Sequence, residues 1–255
     1  MLAQDIFTRR KLFNSTATKR EKFLAGRQGG TLLKQWIVRS TGTSGSQMER
    51  TPGCCALITL PNIQDRAELT RSTSTRETSL NGLVIIQRHP HEDDRGFFDN
   101  LFDEDLVESL SPGFRVAQVN RSVTRLRGTL RGMHYQASPH ADTKIVTCAQ
   151  GRVFDVVVDI RRGSPTFLRW HGQLLEHGDF KSLVIPAGFA HGFQALVDHS
   201  ELIYLHGSAY YPDAEAGLNP LDPVLDITWP EPPILVSERD AAHELLADDW
   251  NGVVQ

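Results

Sequence analysis

The stretch Val153-Phe154-Asp155-Val156-Val157-Val158-Asp159-Ile160 reads as a β-strand. Its period of two places Phe154, Val156, Val158 and Ile160 on one face, while Asp155 and Asp159 share the other with Val153 and Val157, so that one face packs and the other is mixed. Further short β-rich runs recur from Leu83 onward, at Leu83–Gln87, Phe114–Val123, Lys144–Ala149, Ser182–Ile185 and Leu202–Leu205. Turn residues punctuate them at Gly151, Arg162-Gly163-Ser164-Pro165, His177-Gly178-Asp179 and Pro186-Ala187-Gly188. Many short strands and few helices predict an all-β domain, a sandwich or jelly-roll barrel whose wide mouth is a natural ligand site. The C-terminal stretch from Ser237 reads as a helix, with Ser237 as N-cap and Asp240 three positions later in a capping-box-like arrangement.

Outward from these strands, the 255 residues divide by charge. Residues 1–80 hold 13 Lys/Arg against 6 Asp/Glu, whereas residues 81–255 hold 14 against 25. The basic section is rich in Ser and Thr and keeps no sustained apolar period, which predicts a weakly ordered extension over 1–80 and a folded domain over 81–255, with the boundary near Asn81. A flexible tail and a translation start placed ahead of a later Met, such as Met48, are the two plain readings of that extension; a loose likeness to an organelle transit sequence is weaker. The acidic main domain and the lack of aromatics among the basic residues argue against nucleic acid as a partner. The longest apolar run, Cys54 to Leu60, falls far short of the roughly 20 residues of a membrane-spanning helix, so no membrane is expected. Three cysteines, two of them adjacent, make neither a disulfide scaffold nor a zinc module, and a cytoplasmic setting is expected.

Chemistry is narrowed by what is missing. No G-x-S-x-G elbow, phosphate loop or dinucleotide fingerprint is present. Pro186-Ala187-Gly188-Phe189-Ala190-His191 is similar to a segment of metal-binding cupins, but two residues beyond His134 stands Gln136, a poor ligand for a divalent metal, so metal binding is only the second choice.

The segments Arg131-Gly132-Met133-His134-Tyr135-Gln136 and Ala190-His191-Gly192-Phe193 closely resemble the dTDP-4-dehydrorhamnose 3,5-epimerase family. The likeness continues through Asp94-Arg95-Gly96-Phe97-Phe98, Gln118-Val119-Asn120-Arg121-Ser122, Phe154–Arg161, Ser164-Pro165-Thr166-Phe167, Trp229-Pro230 and Ser237-Glu238-Arg239-Asp240, in order, from about Gly82 to Ala242. It implies a cupin-like jelly roll with short flanking helices, a homodimer, no metal or organic cofactor, and epimerisation of a dTDP-4-keto-6-deoxyhexose at the carbons flanking the keto group. Such chemistry needs a base on one face of the sugar, an acid on the other and a cation near the keto oxygen.

By this resemblance His134 is the general base, Asp240 the carboxylate that holds its tautomer, Tyr204 the proton donor on the opposite face, and Lys144 the cation at the developing enolate. Arg95 and Arg131 correspond to residues that bind the diphosphate, and Gln118, Asn120, His191, Glu215 and Arg239 to further substrate contacts. Tyr210 corresponds to a tyrosine stacking on thymine, with Tyr211 the substitute if the loop slips by one residue. Strict strand alternation sends Arg131 and His134 to opposite faces, so serving one site from both requires a bulge at Gly132 or a second subunit's pocket. The chain departs from the family pattern at Asn100, where Glu is common and the acid is instead Asp99; at Pro220-Leu221-Asp222, usually Trp-Asn-Asp; and at Arg239, commonly Lys. These changes spare the base, the acid and the cation, and they leave room for epimerisation at C3 alone.

Overall fold

The computed structural model describes residues 73–254. Two antiparallel sheets carry the fold. The larger holds β1 (Thr73–Glu77), β2 (Val84–Arg88), β5 (Gln118–Thr124), β7 (Lys144–Gln150), β10 (Lys181–Ile185) and β12 (Ser200–His206), in the order β1-β2-β10-β7-β12-β5. The smaller runs β13-β6-β11-β8-β9, from β6 (Leu130–Gln136), β8 (Arg152–Asp159), β9 (Trp170–Glu176), β11 (Phe189–Ala195) and β13 (Glu215–Gly217). Strands β3 (His91–Asp93) and β4 (Gly96–Phe98) form a separate hairpin. The arrangement is a cupin-like jelly roll, as the strand-rich sequence leads one to expect. Helix α1 (Glu104–Leu110), not foreseen from the sequence, is capped by Asp103, whose carboxylate accepts from Leu106 N–H at 2.9 Å.

Both faces of β8 are buried, which corrects the expectation of one packed and one mixed face. Val153 and Val157 enter the core between the sheets with Ile85, Val146, Leu183, Ile185, Phe189, Phe193 and Leu202. Val156, Val158 and Ile160 face the other way, where Leu218, Leu225, Trp229 and Trp250 of the C-terminal segment cover them. The face that alternation marks as mixed is thus the barrel interior, and its two aspartates are hydrogen-bonded there, Asp155 to His191 and Asp159 to three side chains. Asp159 accepts from Arg161 Nε at 2.8 Å, Ser164 Oγ and Thr166 Oγ1, each at 2.5 Å. Burial would raise that carboxyl, but these bonds outweigh it and hold it below its ordinary range. The Asp159-to-Thr166 run, part of the family likeness, is therefore a structural knot at the end of β8.

The sheet also begins before the boundary expected at Asn81: β1 pairs along β2 from Thr73↔Arg88 to Glu77↔Val84, and Leu80 is buried in the core. An exposed edge strand needs no apolar run, so it carries no periodic signal. The weakly ordered extension expected over 1–80 otherwise lies outside the described residues.

In β6, three residue steps from Arg131 to His134 oppose two steps from Phe193 to His191 on β11, so the strand bulges at Gly132. The alternation conflict between Arg131 and His134 is resolved within one chain. Gly132 has φ +112°, and a Cβ there would stand 2.6 Å from Gly192 Cα and 2.7 Å from the His191 carbonyl oxygen. Gly132→Ala is expected to cost about 1–3 kcal/mol of stability and to displace His134. Urea unfolding read by circular dichroism, with activity measured on the folded fraction, checks both.

Candidate active site

A cleft of about 1010 Å³ opens between the sheets, lined from β5, β7 and β12 on one side and β6, β11 and β13 on the other. The structure brings eleven of the twelve expected site residues to it: His134, Asp240, Tyr204, Lys144, Gln118, Asn120, Arg131, His191, Tyr210, Glu215 and Arg239. Arg95 is the exception and does not line the cleft of this chain. It sits at the β3–β4 turn, 89% exposed and bonded to Asp93, on a hairpin that pairs with neither sheet.

At the base of the cleft, His134 Nε2 lies 2.8 Å from Asp240 Oδ1, and Asp240 Oδ2 accepts from Gly132 N–H at 3.1 Å. The carboxylate is only 3% exposed. Burial pushes its pKa up, but the hydrogen bonds from His134 and Gly132 prevail and hold it well below the usual carboxylate range. A carboxylate accepts only, so Nε2 bears the hydrogen and Nδ1 is left as the basic nitrogen. Asp240 lies on helix α2 (Glu238–Ala241), where Ser237 Oγ accepts from Asp240 N–H at 3.0 Å. Only half of the expected capping box forms, because the Asp240 side chain is turned toward His134. Arg239 NH1 donates to Glu215 Oε1 at 3.0 Å, and its NH2 packs 3.1 Å from His134 Nε2.

Across the cleft, Tyr204 approaches Ser122 Oγ at 3.4 Å. Burial drives its phenol pKa far above the ordinary value, which keeps the proton in place as a donor. Lys144 is buried; burial lowers its pKa, against the opposing pull of Asp142 and Asp155. Arg131 donates to the Thr124 hydroxyl at 3.1 Å and the Val123 carbonyl at 3.2 Å, neutral acceptors that leave its charge uncompensated. Tyr210 donates to Glu215 Oε2 at 2.6 Å and lines the cleft, while Tyr211 stacks on His140 instead.

Two further histidine–carboxylate pairs border the cleft. His191 Nε2 lies 2.9 Å from Asp155 Oδ2, and His206 Nδ1 lies 2.6 Å from Asp142 Oδ2. Asp142, Asp155 and His206 escaped the sequence reading; alternation on β8 brings Asp155 inward, but nothing local joins residues 142 and 206. Gln136 bonds the carbonyls of His140 and Ala209, and its oxygen accepts from Tyr211 N–H, so it holds the tyrosine loop. Among the described residues no group of three or more His, Cys, Asp or Glu is arranged to hold a metal. Neither Asn100 nor Asp222 lines the cleft. Asp99 is spent on a salt bridge to Arg88 at 3.0 Å.

The sequence profile of the dTDP-4-dehydrorhamnose 3,5-epimerase family matches residues 77–248. The chain belongs to the dTDP-4-dehydrorhamnose 3,5-epimerase family. It is 44% identical over 176 residues to the dTDP-4-dehydrorhamnose 3,5-epimerase of Streptomyces griseus, covering 68% of this chain and 86% of that one. It is 40% identical over 174 residues to the dTDP-4-dehydrorhamnose 3-epimerase of Streptomyces niveus, covering 68% and 84%. The solved dTDP-6-deoxy-D-glucose-3,5-epimerase of Legionella pneumophila, in complex with dTDP-4-keto-L-rhamnose, matches at a TM-score of 0.65 and 39% identity, covering 68% of this chain and 92% of that chain. As an epimerase of this family the protein is an isomerase acting on a dTDP-sugar. No helix among the described residues is long and apolar enough to cross a membrane.

The depressed Asp240 carboxyl links the site to stability. Its folded-state pKa lies below the ordinary 3.8, so its stabilisation is complete above that pH and is lost as pH falls through the folded value. Asp240→Asn is expected to destabilise the protein at neutral pH, with the deficit closing in acid. Urea midpoints of the two proteins at neutral and strongly acidic pH test this.

Proposed function

We propose that the protein epimerises dTDP-4-dehydro-6-deoxy-D-glucose at C3 and C5 to dTDP-4-dehydro-L-rhamnose, without a cofactor, through enolate intermediates. The observation that carries this reading is the single cleft holding a carboxylate-anchored imidazole opposite a phenol kept protonated, with a buried lysine on the phenol's strand pair. His134 takes the proton from the carbon next to the keto group, and Asp240 steadies the imidazolium that forms. The electron pair moves into the carbonyl, where Lys144 meets the enolate oxygen. Tyr204 then delivers a proton to the opposite face, inverting the centre. The cycle closes when the imidazolium and the phenolate exchange protons with solvent, which labels the sugar in D₂O.

Arg131, the cation of the cleft without a carboxylate partner, suits the diphosphate, and Tyr210 suits the thymine. The working form in this reading is a homodimer acting in the cytoplasm, with Arg95 of the partner subunit as the second diphosphate contact. Epimerisation at C3 alone is the second reading, favoured by the 40% likeness to a 3-epimerase.

NMR of the substrate incubated in D₂O, counting deuterium at C3 and C5 separately, tests the reading. Exchange at both supports it, exchange at C3 alone selects the second, and dTDP binding without exchange marks a nucleotide-sugar-binding module. His134→Ala should lower exchange by about 10²–10⁴-fold with dTDP binding kept. Tyr204→Phe should leave deuterium incorporation but with retained configuration, because the base alone can still remove and return a proton on one face.

A further inference from the structure

Asp142 stands in the loop ahead of β7, buried yet on the cleft lining, and its two oxygens reach three groups. Oδ1 accepts from Ser208 N–H at 3.0 Å. Oδ2 lies 2.6 Å from His206 Nδ1 and 4.0 Å from Lys144 Nζ. The His206 ring in turn lies against the Tyr204 ring, with centroids 5.8 Å apart and planes 18° from parallel. His206 and Lys144 face each other directly across the β12–β7 ladder, and Tyr204 sits two residues before His206 on the same strand face. One carboxylate thus connects the proposed enolate cation to the ring packed on the proposed acid.

We propose that Asp142 and His206 form a positioning pair for the reaction, Asp142 supplying the counter-charge that keeps the Lys144 ammonium in place and His206 fixing that carboxylate while buttressing Tyr204. This rests on the epimerase reading. Asp142 from the loop ahead of β7 and Asp155 from β8 act on Lys144, His206 stands opposite it across the β12–β7 ladder, and Tyr204 from β12 and His191 from β11 line the same cleft. Two carboxylates therefore oppose the desolvation of the ammonium. A carboxylate can only accept, so His206 carries a hydrogen on Nδ1, the nitrogen that faces Asp142. Were His206 to take up a second proton, the imidazolium would compete with Lys144 for the same oxygen.

Two measurements need no catalysis, and the first needs no variant. In ¹⁵N-histidine-labelled wild-type protein at mildly alkaline pH, His206 should be the Nδ1–H tautomer, and the Nε2–H tautomer or an imidazolium overturns the proposal. In protein labelled with ¹³C at lysine Cε, Asp142→Asn, which keeps an acceptor for Ser208, should lower the Lys144 titration midpoint by about one unit or more; an unchanged midpoint overturns it.

Kinetics then address the coupling. Asp142→Asn should lower kcat at least about tenfold, move its alkaline limb to lower pH, and change KM less than kcat. His206→Phe, which keeps a ring against Tyr204, should lower kcat alone but add little in the Asp142→Asn background, since a pair acting as one unit is non-additive. Additive losses, or a pH profile that does not move, would remove the pair from the role. Absence of exchange in the wild type would count against the epimerase reading itself, while the two NMR measurements would still decide the fate of the pair.

Discussion

A carboxylate almost wholly removed from water has to be satisfied, and Asp240 imposes that demand on two separate parts of the chain. Its oxygens take Gly132 N–H from a bulge in β6 and the imidazole of His134 from the same strand, while its own N–H is held by Ser237 at the head of α2. The C-terminal segment is thereby tied to β6, the second strand of the smaller sheet. An unpaired charge in that position would cost several kcal/mol, so the bulge, the glycine that permits it and the short helix are constraints on one another. The proposed base inherits its tautomer from an interaction that the fold requires on its own account.

The same logic recurs around the cleft. Three imidazoles each face a buried carboxylate: His134 with Asp240, His191 with Asp155 and His206 with Asp142. Each carboxylate fixes which ring nitrogen carries hydrogen, so the wall of the cleft presents defined donors and acceptors without waiting for substrate. Preorganised polar groups of this kind stabilise charge at little reorganisation cost when it develops. The inner aspartates of β8 divide the labour: Asp155 belongs to this wall, and Asp159, four residues on, secures the turn that closes the strand.

How much of this was legible in sequence follows from the range of the signals. Strand periodicity marked the all-β domain, yet it assigned the aspartate-bearing face of Val153–Ile160 a mixed character because a hydropathy pattern cannot distinguish a wet surface from a polar barrel interior. Strand β6 was absent from the runs picked out by apolar alternation, since the bulge at Gly132 breaks the period that such a search detects. That very break was foreseeable from chemistry, through the need for Arg131 and His134 to reach one site. The His134, Tyr204, Lys144 and Asp240 positions came through the family likeness and meet in one cleft. Asp142 and His206 did not, being 64 residues apart in a sequence where neither belongs to a recognisable motif. Long-range pairs across a sheet leave no local trace.

Charge balance gives the cleft its remaining requirement. Arg121 is paired with Glu201, Arg239 with Glu215, and Lys144 stands by Asp142, whereas Arg131 meets only a hydroxyl and a carbonyl. A sugar diphosphate brings two negative charges, and one uncompensated guanidinium from a single chain balances half of them. Arg95 would suit the other half in the proposed reading: its ion pair with Asp93 lies in solvent, where screening leaves such a pair weak enough to be exchanged for a phosphate. Its hairpin pairs with neither sheet and carries Phe97 and Phe98 exposed beside it, an apolar surface next to a loosely held cation. A second copy that covers those rings would carry Arg95 with it, so the proposed dimer would supply the charge that one cleft lacks.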